Sequence, residues 1–215
     1  MYKGNFYIRD FPYTFVKVWK YRETGFPYSG IVIFSGGQGT GKTLNAVQMV
    51  LDIRREYPSC RLISNTDLSI EGVEPYTGLE CFEENNGNDG IIYFLDEIQN
   101  LYSSMQSKGV GDDQLYIWSQ NRKNRRVIIG TTQRFTRVAK PIREQTKWLI
   151  DMRFKFFNVY AYRQYNGYNF DDDGNYCDDK PPIKLCCPSL AAYQSYDTSA
   201  VVRRIGGKLD DKCAG

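Results

Sequence analysis

Ile31-Val32-Ile33-Phe34-Ser35-Gly36-Gly37-Gln38-Gly39-Thr40-Gly41-Lys42-Thr43 is the stretch on which the fold turns. Its first four residues form an apolar run of strand length, and Leu44, Val47, Val50, Leu51 and Ile53 follow at helix-compatible spacings as far as Tyr57-Pro58. Between them, Gly36 to Thr43 satisfies the pattern G-x-x-x-x-G-K-[ST], and a strand before it with a helix after it is the context that pattern requires. Gly36, Gly37, Gly39 and Gly41, with Gln38 and Thr40 completing the loop, let successive N–H groups turn inward about a phosphate. The helix start offers its positive dipole end, Lys42 neutralises β- and γ-phosphate oxygens, and Thr43 presents a hydroxyl to Mg²⁺. ATP with Mg²⁺ is the expected cofactor.

Downstream, residues 60–64 read as a second strand and 65–67 as the turn after it. Residues 71–90, with Gly72, Pro75, Gly78 and a polar run from Glu83, read as a surface loop. Ile91-Ile92-Tyr93-Phe94-Leu95 is a continuous apolar run of the kind buried on both faces of a parallel sheet, and Asp96-Glu97 closes it. In a parallel sheet that end lies on the phosphate side. Asp96 is placed to hold Mg²⁺ through water and Glu97 to polarise the attacking water as general base. An acidic pair opening a helix is also favoured by the dipole alone. A helix is expected to follow to about Met105, a break at 107–111, a second helix over 115–121 capped by Asp112 or Asp113, and a strand over 127–130. Gln133, just beyond that strand, is a candidate γ-phosphate sensor, or a polar residue opening a loop.

Alternating strands and helices predict an α/β P-loop fold with a mainly parallel central sheet flanked by helices, plus a small β-rich C-terminal extension. The expected divisions are residues 1–29 as an N-terminal extension packed on the core, 30–150 as the ATPase core and 151–215 as the extension and tail. Alternation over 148–156 and 158–165 indicates two strands there, Asn166-Gly167 is a hairpin signal at their end, and the residues after the acidic loop at 171–179 show little periodicity.

With 41% hydrophobic and 25% charged residues over 215 positions and a net charge of +3, composition alone does not mark a nucleic-acid binder. The distribution is more telling: Arg122, Lys123, Arg125, Arg126, Arg134, Arg137, Lys140, Arg143 and Lys147 face only one acid, Glu144, in the same span. A phosphate-backbone track for DNA, arginine fingers reaching a neighbouring subunit's ATP, and solvated helix faces all fit this excess; Arg122, Arg126 and Arg143 are the finger candidates. Phe154, Phe156, Phe157, Tyr160, Tyr162, Tyr165 and Tyr168 could stack on single-stranded DNA or fill a sheet face. Six cysteines without histidine or a Cys-x-x-Cys pair disfavour zinc, and Cys186-Cys187 reads as an exposed vicinal pair. No signal-like or membrane-spanning apolar stretch is visible, so a cytoplasmic chain, peripheral to an inner membrane where its partners require it, is expected.

The ordered combination resembles the Zot-like (zonular occludens toxin N-terminal domain) assembly ATPases of filamentous phages, within the FtsK–HerA-like P-loop motors. The matching pieces are Gly36 to Thr43, Ser64-Asn65-Thr66-Asp67-Leu68, Leu95-Asp96-Glu97, Asn121 to Arg126 before a strand ending in Thr132-Gln133, and Ser195-Tyr196-Asp197-Thr198. The resemblance implies a ring-forming homo-oligomeric ATPase that works with phage coat or export proteins at the inner membrane and powers virion assembly. It differs from the family pattern in lacking a visible transmembrane helix after the ATPase region and any histidine in the basic segment. A DNA-packaging or DNA-translocating ATPase of the same superfamily is the alternative, and a regulatory scaffold that binds ATP with negligible turnover is the third reading.

Overall fold

The computed structural model describes residues 25–84, 86–100 and 124–196. Strand β1 (Gly30–Ser35) leads through the glycine loop into helix α1 (Lys42–Glu56), followed by β2 (Arg61–Ser64), β3 (Val73–Pro75), β4 (Ile91–Leu95) and β5 (Arg126–Thr132). After the short helix α2 (Lys140–Glu144) come β6 (Thr146–Phe156), β7 (Val159–Asn166), β8 (Ile183–Cys186) and helix α3 (Leu190–Ser195). The strands form one eight-stranded sheet in the order β3-β2-β4-β5-β1-β6-β7-β8. Pairing is parallel from β3 to β6 and antiparallel from β6 to β8. The expected α/β fold with a mainly parallel sheet is the observed one.

Two apolar layers cover the sheet. Val32, Phe34, Ile92, Phe94, Val127 and Ile129 point to the face where α1 lays down Ala46, Val47, Val50 and Ile53, a stripe at helical spacing. Ile31, Ile33, Tyr93, Leu95 and Ile128 point to the opposite face. This two-sided burial explains why β1, β4 and β5 are unbroken apolar runs rather than alternating ones. Helix α1 stops where Tyr57 N closes on Ile53 O (2.8 Å), and Pro58 cannot extend the ladder.

Four expectations are corrected. Residues 71–90 are not simply a surface loop: β3 pairs with β2, a 3-10 turn spans Leu79–Glu83, and Tyr76, Cys81 and Phe82 are buried. The Phe82 and Tyr93 rings lie 4.5 Å apart, so a few apolar side chains anchor a segment whose turn residues dominate its composition. The hairpin turn falls at Phe157-Asn158 instead of Asn166-Gly167; Phe157 takes the left-handed conformation (φ 51°), and the Asn166 side chain caps a 3-10 turn by accepting from Tyr168 N (3.2 Å). The supposedly irregular tail contains β8 and α3. Cys186 is half-buried, not exposed, and only Cys187 of the pair faces solvent.

β6 runs without interruption through position 150, parallel to β1, so the division expected there falls inside a strand of the shared sheet. The helices expected to reach Met105 and to span 115–121, residues 1–24 of the N-terminal extension, and Cys213 lie outside the described residues.

Candidate nucleotide site

The glycine loop sits in the middle of the sheet, with β4 and β5 on one flank and β6 and β7 on the other. Its geometry demands glycine at both ends. Gly36 has φ 146°, and a Cβ there would come within 2.6 Å of Met152 O. Gly41 has φ 82°, and a Cβ would meet the Tyr160 ring at 2.1 Å. Any other residue at either position is both strained and obstructed. Inside the loop, Thr40 Oγ1 and Lys42 Nζ both donate to Gly37 O (2.8 and 2.9 Å). Lys42, the first residue of α1, is nearly buried, and the first turn of α1 contains no acid, which leaves its positive dipole end uncompensated for an anion.

On the β4 flank, Thr43 Oγ1 donates to Asp96 Oδ1 across 3.2 Å, joining helix start to strand end. Asp96 is buried; desolvation pushes its carboxyl above the ordinary aspartate range, opposed by the hydrogen bond from Thr131. Thr131 Oγ1, at the end of β5, donates to Asp96 Oδ1 and accepts from Glu97 N (3.0 Å). Asn65, just after β2, brackets the Asp96 backbone: its Nδ2 donates to Asp96 O and its Oδ1 accepts from Asp96 N, both at 2.8 Å. Glu97 is held in the left-handed region (φ 52°), and its Oε2 accepts from Gln99. A hydroxyl and a carboxylate this close at the mouth of a phosphate loop are hard oxygen donors that suit Mg²⁺.

On the other flank, Ser35 Oγ donates to Asp151 Oδ1 (3.3 Å) and Arg153 pairs with Asp151 (2.7 Å). Burial raises the Asp151 carboxyl, and Arg153 works against that rise.

The structure thus brings together Lys42, Thr43, Asp96 and Glu97. Gln133 stands one residue past β5 and is half-buried; the contacts to Asp96 and Glu97 from that strand come from Thr131. Neither Thr131 nor Asn65 was singled out as a site residue by the sequence, although both lie in quoted segments. Their roles depend on reach across neighbouring strands, which no local pattern encodes. The pieces Ser64 to Leu68 and Ser195-Tyr196 are neighbours in space: Leu68 and Tyr196 form an antiparallel bridge, and Ser69 N donates to Ser195 O (2.9 Å). Asp197 and Thr198 lie outside the described residues.

The arginine candidates separate. Arg126 is fully buried at the start of β5, the end of the sheet opposite the glycine loop. Its guanidinium donates to Phe82 O and lies 5.2 Å from the Phe82 ring centroid and 6.0 Å from that of Tyr93. Burial lowers its pKa, with Tyr93 opposing. The expectation of Arg126 as a finger is corrected: it is an internal prop spent on its own chain. Arg143, in α2, donates to Asp172 O (3.0 Å) of the acidic loop. Arg122 lies outside the described residues. Among the described residues no helix is long and apolar enough to cross a membrane.

Comparison with known proteins adds the following. The N-terminal domain of zonular occludens toxin from Neisseria meningitidis superposes with TM-score 0.57 at 15% identity, covering 79% of this chain and 99% of that one; at that identity the likeness is one of fold. The genome packaging NTPase B204 from Sulfolobus turreted icosahedral virus 2, in complex with ATP-gammaS, gives TM-score 0.48 at 14% identity over 74% of this chain and 98% of its own. No curated protein matches. The model of the ATPase family associated with various cellular activities matches residues 32–156, from within β1 to the end of β6. That span contains the glycine loop, Asp96 and Glu97, and the chain therefore belongs to the AAA family of ATPases.

Proposed function

We propose that this ATPase hydrolyses Mg-ATP as a homo-oligomeric motor for assembly or export of a phage virion. The observation that carries the hydrolytic part is the junction of Thr43, Asp96 and Thr131, with Glu97 held beside it. In this reading the backbone of residues 36–43 and Lys42 cradle the phosphates. Thr43 and Asp96 hold Mg²⁺, which when bound neutralises charge on the β- and γ-phosphates. Glu97 takes a proton from the attacking water, its carboxylate oriented by Gln99 and its backbone fixed by Thr131. Gln133 stays the candidate that senses the γ-phosphate, and Arg122 and Arg143 remain candidates for the trans finger.

The assembly role rests on the ordered segments shared with the Zot-like ATPases and on the likeness of fold to the zonular occludens toxin domain. Coat or export proteins at an inner membrane would be the partners. One observation favours the alternative of DNA translocation: Arg134 and Arg137 are exposed just beyond the phosphate end of β5.

Steady-state ATP hydrolysis by wild type, Lys42→Ala and Glu97→Gln tests the core of the proposal. Lys42→Ala is expected to lose nucleotide binding. Glu97→Gln is expected to bind with near-normal affinity while turnover falls at least about 100-fold. Vigorous hydrolysis by Glu97→Gln would sink the general-base assignment.

A further inference from the structure

Beyond Asp151, its last partner for β1, strand β6 pairs with β7 alone, and β8 ends opposite Tyr160. The final rung, Phe156 opposite Val159, and the turn Phe157-Asn158 therefore project past both neighbouring strands. Register puts Phe154, Phe156 and Val159 on one face with Ala161, and Leu185 of β8 beside Ala161 on that same face. Phe154 and Phe156 are 55% and 68% exposed, Leu185 and Val159 are exposed as well, and only the small Ala161 at their centre is buried. Across the sheet, α3 packs on the face of α1. Leu190 at the start of α3 lies two residues past Pro188, whose carbonyl accepts from Asn158 Nδ2 (3.3 Å), and it too is exposed. Apolar side chains thus stand in solvent on both faces of the hairpin and at its turn.

Two observations mark the tip as a surface kept for burial elsewhere. Phe157 is 84% exposed while holding φ 51°, a conformation that Asn or Gly adopts with less strain. The one polar side chain of the turn, Asn158, is folded back on its own chain: besides its bond to Pro188, its Oδ1 accepts from Tyr193. Adjacent large apolar side chains in solvent mark an interaction site more often than scattered single ones do.

Charge identifies the partner. Lys147, Arg153, Lys155, Arg163 and Lys184 stand on β6, β7 and β8 against a single acid, Asp151, and that acid is already paired with Arg153 (2.7 Å). Lys155 precedes Phe156, its ammonium 5.9 Å from the Tyr160 ring centroid on the face of α1. We propose that the β6–β7 tip inserts into an anionic lipid bilayer, Phe156 and Phe157 entering the acyl boundary while Lys155 stays among the lipid phosphates. Rings that enter and ammonium groups that remain at headgroup level are the two halves of interfacial membrane binding. A protein groove or a DNA strand would meet one face of the hairpin; a bilayer closes around both faces and the turn together.

Flotation of the full chain with vesicles of phosphatidylcholine alone, and with vesicles of phosphatidylcholine and phosphatidylglycerol, tests the contact. Wild type is expected to float with the anionic vesicles and to stay behind with the neutral ones. Phe157→Asn relieves the turn, so it is expected to melt no lower than wild type and yet to lose anionic-vesicle binding about tenfold. Lys155→Glu is expected to weaken that binding about tenfold as well. Absence of wild type from the anionic vesicles overturns the proposal, as does Phe157→Asn floating like wild type. A lower melting temperature for Phe157→Asn, with vesicle loss matching its unfolded fraction, would make the ring structural and overturn it too. Oligo(dT) binding and sedimentation are measured alongside: loss of DNA binding or of self-association in Phe157→Asn, with wild type indifferent to vesicles, assigns the tip to nucleic acid or to a second copy and overturns the lipid contact. Nucleotide is left out of these assays, so their failure leaves the hydrolytic reading untouched.

Discussion

One hydroxyl, that of Thr131, serves both residues proposed to act on the phosphate: it donates to Asp96 and accepts from Glu97 N. Thr131→Val removes both bonds at nearly constant volume, and turnover is expected to fall about tenfold or more with nucleotide binding retained, whereas Thr131→Ser keeps most activity; parallel kinetics and binding on the two variants check it. Asp96 makes a second test. Burial raises its carboxyl pKa, so the native state binds its proton more tightly than the unfolded chain does. The stability cost of the buried charge is absent at pH below the ordinary aspartate value and grows as pH rises through the raised one. Asp96→Asn removes that charge, so near pH 7 it is expected to raise Tm while abolishing Mg²⁺-dependent turnover, as thermal melts beside activity assays will show. The loop and the acidic pair were legible in the sequence because each is a local string with fixed spacing. Asn65 and Thr131 were not, because what makes them matter is a side chain crossing to the next strand.

At the scale of elements, β5 begins with the buried Arg126, whose donor and ring contacts hold the 3-10 turn at Leu79–Glu83 against β4. Arg126→Ala removes the donor to Phe82 O and opens a void between the rings, and should cost about 2–4 kcal/mol of stability; denaturant unfolding measures it. Catalytic loss beyond what unfolding explains would restore Arg126 as an active-site group. The same residue shows where sequence reading stops. Strands β1, β4 and β5 could be read because two-sided burial writes them as apolar runs bounded by turn residues. β3 and β8 sit at the sheet edges, where β8 is largely exposed, and exposure erases the pattern that would reveal them. The break between the strands read at 148–156 and 158–165 is where the hairpin turns, but it carries no Asn-Gly signal, because Phe157 occupies a left-handed conformation that local rules assign to Asn or Gly.

For the molecule as a whole, the basic excess shrinks on inspection. Arg126 is internal, Lys140 pairs with Asp172 (3.0 Å), and Arg143 and Arg125 donate to backbone oxygens of Asp172 and Asn88. If DNA stimulates turnover, Arg134→Ala/Arg137→Ala should reduce the stimulation and flatten its salt dependence by about two phosphate contacts, while the corresponding change at Lys140 should do little; activity titrations at several salt concentrations decide. If the chain works as the proposed homo-oligomeric ring, turnover per chain rises with protein concentration, because neighbouring copies complete its sites. The β6–β7 ribbon bears on both expectations. It touches the glycine loop at its two ends, Met152 against Gly36 and Tyr160 against Gly41, so the loop is a span clamped twice on a single beam. In the proposed motor, a load on the tip of that beam is felt at both clamps at once, and a loop tightening on phosphate pulls back along the same path.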